Sequence, residues 1–338
     1  MIKRVLFFLF SLLVGLALFG WILNHVGWEN IKLALGRFSF QAGLLILLLT
    51  VLSALVRSYR WGTILKSQQY HVPLLRIFEY YLSGVSIAFF FPMVIFGGEI
   101  FRGYDLKEKY AIPWFKSIAS VIIDKILEIT VYIAAAAFGI AFFILKVAFI
   151  PAKFYFIVFL GTLLIVVLLG VLYFKIIKKE SIIRFFLKKL NAKNFNGADT
   201  AIEVEKEIFR YFTLKNRKTL WKGIALSILH ELILLGRASL LLLFLGQEIS
   251  VFSIVSIVAF SSLAVLIPIP AALGSHEAVQ SFIFNSLGLG TDIAMAFVFI
   301  IRGVELALAL LGAVFFFKFG VQILQSAVLK RIARLIGK

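Results

Sequence analysis

Eight stretches of this sequence are apolar over nearly the length of a bilayer core: about 5–23, 41–59, 78–96, 117–144, 154–174, 223–245, 251–270 and 292–317. A helix needs about 20 such residues to cross the hydrocarbon. The whole chain is 62% hydrophobic and only 15% charged, with a mean hydropathy of +1.03. Soluble domains average about 45–50% apolar and about 25% charged. The fold class expected is therefore all-α: a polytopic helical membrane protein. The apolar run after Met1–Arg4 continues to Trp21 with no small-residue cleavage site, so it reads as a retained first helix rather than a signal peptide.

Two of the eight runs are interrupted. The first reads FPMVIFGGEIFRG over 91–103 and the second IPIPAALGSHE over 267–277. Proline removes a helix donor and clashes with the preceding turn, so Pro92, Pro268 and Pro270, with Gly97, Gly98 and Gly274, are the expected helix-break residues. Positive charge decides what the breaks do. Residues 175–222 hold 13 Lys/Arg against 5 Asp/Glu, and Lys3, Arg4, Arg57, Arg60, Lys66, Lys330, Arg331, Arg334 and Lys338 flank other segments. The positive-inside rule puts such segments in the cytoplasm. Eight plain crossings put 175–222 outside. Six crossings plus two re-entrant hairpins, at 78–96 and 251–288, keep every basic segment and both termini inside. Eight ordinary crossings, one kinked at proline, is the alternative.

The interruptions share spacings. Pro92 to Glu99 and Pro270 to Glu277 are each seven positions; Glu99 to Asp124 and Glu277 to Arg302 are each 25. The chain thus reads as one membrane domain, 1–338, of two halves, about 1–148 and 149–338. Three crossings per half make the halves opposite in orientation, the inverted repeat of many secondary transporters. The basic stretch 175–222, with its polar NAKNFNGADT, is the expected linker, an amphipathic surface helix or two.

Charges at bilayer depth cost roughly 2.5–3.5 kcal/mol each on insertion scales and are usually functional. The candidates for a lipid-headgroup cavity are Glu99, Arg102, Asp124, Lys125, Glu128, Glu277, Arg302 and Glu305. Arg57, Arg60, Arg237 and His276 are further possibilities, with His230 and Glu231 behind them. Arg57, Arg60 and Trp61 also read as an interfacial anchor at a helix end. Glu99/Arg102, Lys125/Glu128 and Arg302/Glu305 are each three apart and able to pair along one helix, while Asp124 and Glu128 share a face. Arginine forks suit a phosphate. Half-helix N-termini near Gly98 and Gly274 add partial positive charge, which Glu99 and Glu277 could instead cap. Structural ion pairing is the competing role for all of these.

The absence of cysteine excludes disulfides, thiolate catalysis and cysteine–metal sites. Four histidines without an HExxH spacing point to no metal, and no cofactor or catalytic residue is expected. The net charge of +18 suits anionic lipid; nucleic acid is not expected, because no binding motif accompanies it.

RSYRW (57–61), P-x5-GE-x2-R (Pro92, Gly98, Glu99, Arg102), DK-x2-E (124–128), P-x3-G-x2-E (Pro270, Gly274, Glu277) and R-x2-E (302–305) together resemble the transmembrane region of lysylphosphatidylglycerol synthases, the flippase-like domain. The resemblance covers nearly the whole chain. It implies translocation of a phospholipid, anionic or aminoacylated, across the cytoplasmic membrane, with a separate lipid synthase as a possible partner. The soluble aminoacyltransferase domain of that family is not expected, since about 20 residues follow Phe317; the chain is thus not expected to be an enzyme. An integral-membrane enzyme acting on a lipid phosphate or lipid-linked sugar, or a non-catalytic partner of a synthase, are the alternatives.

Overall fold

The computed structural model describes residues 28–36, 38–90, 97–146, 152–178, 197–213, 217–265 and 273–336, with isolated positions between them. Within these it is built from helices: α1 (Trp28–Gly36), α2 (Phe40–Ser67), α3 (Leu74–Phe90), α4 (Gly97–Tyr110), α5 (Trp114–Lys146), α6 (Ala152–Lys178), α7 (Ala198–Tyr211), α8 (Arg217–Phe244), α9 (Val251–Val265), α10 (Ser275–Ser286) and α11 (Thr291–Ile336). Four of them, α2, α5, α8 and α11, are long and apolar enough to cross a bilayer. They turn large apolar side chains outward, among them Leu48 and Leu52 on α2, Leu232 and Leu243 on α8, and Leu310 and Phe317 on α11. Facing lipid, such residues keep an apolar solvent. The chain is a multi-pass helical membrane protein.

The expected first crossing, 5–23, and Pro92, Pro268 and Pro270 lie outside the described residues. The described helices on either side end at Phe90 and begin at Gly97, and end at Val265 and begin at Ser275; the residues expected to break the chain between them lie largely outside the described residues. The α3–α4 pair closes at Gly84 and Gly98, where a Cβ on Gly98 would collide with the Gly84 backbone. The 175–222 linker yields α7, which packs on α5 and buries Val204 and Tyr211 while leaving Asp199, Glu203, Lys206 and Arg210 exposed.

Two short helices pack on long helices distant in sequence. Helix α3 packs along α11, α9 packs along α5, and α2 packs along α8. Exchanging the halves carries the first contact into the second and returns the third to itself. Both crossings are made through glycine. Gly312 meets the Leu82 backbone of α3, and a Cβ on Gly139 would stand 2.7 Å from the Val255 carbonyl oxygen of α9. There the Ser256 hydroxyl donates to the Gly139 carbonyl at 2.7 Å. Small residues let membrane helices approach this closely.

Candidate functional site

Helices α2 and α8 meet through polar side chains, although each is otherwise apolar. On α2, Thr50, Ser53, Arg57 and Arg60 recur every three or four residues and so share one face. Facing them on α8 are Ser227, His230 and Arg237. Arg60 Nη1 donates to Ser227 Oγ at 2.9 Å, Ser53 Oγ and His230 Nδ1 are bonded at 3.0 Å, and Arg237 Nη1 donates to Thr50 Oγ1 at 3.0 Å. Partners climb one helix as they descend the other. The seam covers ten residues of α2, about 15 Å of the membrane thickness at 1.5 Å per residue. Glu231 is buried beside it.

A charge cluster closes each end. At the Arg60 end, Arg60 Nε donates to Asp124 Oδ1 at 2.7 Å and Arg102 Nη2 to Asp124 Oδ2 at 3.1 Å. Glu128 takes Arg57, Arg60 at 3.1 Å and Lys125 at 3.1 Å. Glu99 stands 3.8 Å from Lys125. Four cations thus meet three carboxylates from α2, α4 and α5. The Arg102 guanidinium also lies over the Trp61 ring, 4.1 Å from its centroid, and the Trp61 indole donates to Ser120 at 3.0 Å.

At the other end, Arg302 Nη1 donates to Glu305 Oε2 at 2.8 Å, and Arg237 reaches Glu305 Oε1 at 3.8 Å. His276, at the start of α10, lies within electrostatic reach of all three. Arg302 also lies 5.3 Å from the ring centroid of Phe89, at the end of α3. Helices from both interrupted segments therefore converge here on α8 and α11. Two buried polar atoms are left unsatisfied here: Arg237 Nε and His276 Nδ1 have no hydrogen-bond partner.

Three expectations change. Glu99 and Arg102 do not pair along their helix; α4 lies against α5, whose Asp124 and Lys125 offer partners of opposite sign to each. Arg57, Arg60 and Trp61 are no interfacial anchor, because α3, α5 and α8 enclose that end of α2 and leave Arg60 and Trp61 with no exposed surface. Glu277 is a helix cap: its Oε2 accepts from the Gly274 amide at 2.7 Å, with Gly274 at φ 79°. The Lys125/Glu128 and Arg302/Glu305 pairs form as expected, and Asp124 and Glu128 do face together, both on Arg60. Thr50, Ser53 and Ser227 are additions, readable in the sequence only as hydroxyls at helical spacing from charged residues.

Among the described residues no group of three or more His, Asp or Glu side chains is disposed to hold a metal ion.

The family model described as the lysylphosphatidylglycerol synthase TM region matches residues 8–313. A UPF0104 membrane protein of Methanocaldococcus jannaschii is 23% identical over 285 residues, covering 81% of this chain and 83% of the relative. A UPF0104 membrane protein of Pyrococcus horikoshii is 24% identical over 305 residues, covering 84% and 89%.

Proposed function

The chain belongs to the lysylphosphatidylglycerol synthase transmembrane-region family, and from that premise we propose that it is a lipid transporter of the flippase type. It moves a phospholipid or another polar lipid between the leaflets of the cytoplasmic membrane, with both chain termini on the cytoplasmic side. The observation that carries this reading is the Arg237–Arg302–His276 cluster, where a buried guanidinium N–H and a buried imidazole nitrogen lack hydrogen-bond partners. One carboxylate, Glu305, serves two guanidinium groups there, while Arg237 Nε and His276 Nδ1 stay unpartnered. A buried donor without an acceptor costs about 1–3 kcal/mol, more when charged. An anionic headgroup oxygen relieves that cost, and guanidinium forks suit a phosphate.

The polar seam between α2 and α8 continues from that cluster to the Arg60–Asp124 cluster, and gives a headgroup successive hydrogen-bonding partners through the apolar layer. The acyl chains stay outside, against the apolar outer faces of the same helices. Glu99, Arg102, Lys125 and Glu128 are then the groups met at the far end.

Proteoliposomes holding the purified chain and a fluorescent anionic or aminoacylated lipid test the reading. The expected result is loss of inner-leaflet probe at a rate far above that of empty vesicles. Arg237→Gln and Arg302→Ala slow it at least tenfold, while an exposed change such as Lys206→Ala does not. Equal rates in empty vesicles, wild type and variants overturn the reading.

A further inference from the structure

Asp105 belongs to neither cluster nor to the seam. It lies on α4, one turn beyond Arg102, and has no exposed surface. Neither carboxylate oxygen has a hydrogen-bond partner. The surroundings are apolar and aromatic: Leu106, next in the chain, packs with Trp61, Leu65, Ile77 and Tyr80. An isolated ionised carboxylate in such a setting is far too costly to keep, and the usual escape is to take up a proton.

The charged groups of the neighbouring helices are engaged elsewhere. On α3, Arg76 and Glu79 pair with each other at 2.7 Å, and Tyr80 lies within electrostatic reach of Asp105. On α5, Lys116 lies over Tyr70, Asp124 is held by Arg60 and Arg102, and Lys125 is held by Glu99 and Glu128. On α4 itself, Lys107, Glu108 and Lys109 are exposed, and the field of Lys109 reaches Asp105. Burial outweighs that field and pushes the Asp105 carboxyl up to about 7. A metal cation asks for six or more oxygen ligands, and no metal-holding group of carboxylates forms among the described residues. A proton asks only for the carboxylate.

We infer that Asp105 is a proton-binding site that couples proton uptake and release to lipid movement. The step is COO⁻ + H⁺ → COOH. The neutral acid lets α4 stay seated on α3 and α5. The anion draws α4 toward water, where Lys109 one turn further along the same helix is already exposed, and Arg102 on that helix then leaves Asp124 and the Trp61 ring. Proton release thus opens the Arg60–Asp124 end of the seam. The coupling rests on the transport reading; the proton site does not.

Two measurements separate them. Infrared spectra of the purified protein in lipid, recorded against pH, are expected to show a buried carboxyl band that falls roughly tenfold from one pH unit below the midpoint to one above it. The wild-type minus Asp105→Asn difference spectrum isolates the Asp105 part of the band from other buried carboxyls such as Glu231 and Glu277. Absence of that part overturns the site whatever the transport result. In a variant keeping Trp61 alone among the tryptophans, emission shifts over the same pH range and loses the shift with Asp105→Asn. Should Asp105→Asn fold poorly, Asp105→Glu moves the midpoint instead of removing it. In proteoliposomes, wild-type lipid movement is expected to change several-fold between pH 6 and pH 8 and that of Asp105→Asn to stay flat. Equal pH response in both overturns the coupling. A titrating band with no lipid movement in any protein confirms the site and removes the transport reading.

Discussion

Arg60 and Asp124 lie 64 residues apart in sequence and 2.7 Å apart in space, both with 1% or less of their surface exposed. The bond ties α2 to α5, and Asp124 uses its second oxygen to hold Arg102 of α4. One carboxylate therefore anchors three helices.

Asp124→Asn leaves two buried guanidinium groups short of an anion. Removing one member of a buried pair costs about 3–5 kcal/mol. The expected outcome is a marked drop in folded yield and in melting temperature, read by size-exclusion chromatography after heating in detergent. Asp124→Glu recovers part of both.

Gly98→Ala puts a methyl group into the Gly84 backbone, with no flexible side chain able to give way. Gly303→Ala meets nothing within 4 Å, and replacing a mid-helix glycine by alanine favours the helix by roughly 0.5–1 kcal/mol. Thermal melts are expected to move in opposite directions, down for Gly98→Ala and level or up for Gly303→Ala.

Because the chain has no cysteine, a single introduced thiol reports its side of the membrane. Lys206, on the exposed side of α7, is expected on the cytoplasmic side. Lys206→Cys should resist an impermeant maleimide in intact cells and react after permeabilisation. Labelling of intact cells would place the basic segment outside.

Asp105 also gives stability a pH dependence. Its folded value of about 7 lies above the ordinary 3.8, so between them the folded protein holds a proton that the unfolded chain has released. Stability then falls as pH rises through that interval. Relative to wild type, Asp105→Asn is expected to gain melting temperature as pH is raised from 5 to 8. A constant difference would show that Asp105 does not titrate on unfolding.

The charged residues of the two clusters stand out as candidates in the sequence because a charge inside an apolar run is conspicuous. Partner choice was not. Arg102 is one turn from Glu99, yet its partner comes from α5, and only packing reveals which helix supplies it. The hydroxyls of Thr50, Ser53 and Ser227 escaped notice for another reason: in an apolar helix they satisfy themselves on the preceding turn, as each also does here or can do. Asp105 sits in YDLKEK, whose polarity resembles a solvent-facing turn. Its burial follows from α3 and α5 closing over α4, a tertiary outcome without a local signature.

The glycine crossings bear on how the protein is made. Helix α3 is described to Phe90, but the helix it packs along, α11, begins at Thr291. At ribosomal speeds of about 5–20 residues per second, that leaves roughly 10–40 s between the two. Through that interval α3 has its final neighbour not yet translated, so its α11-facing side needs a temporary companion until the last helix emerges.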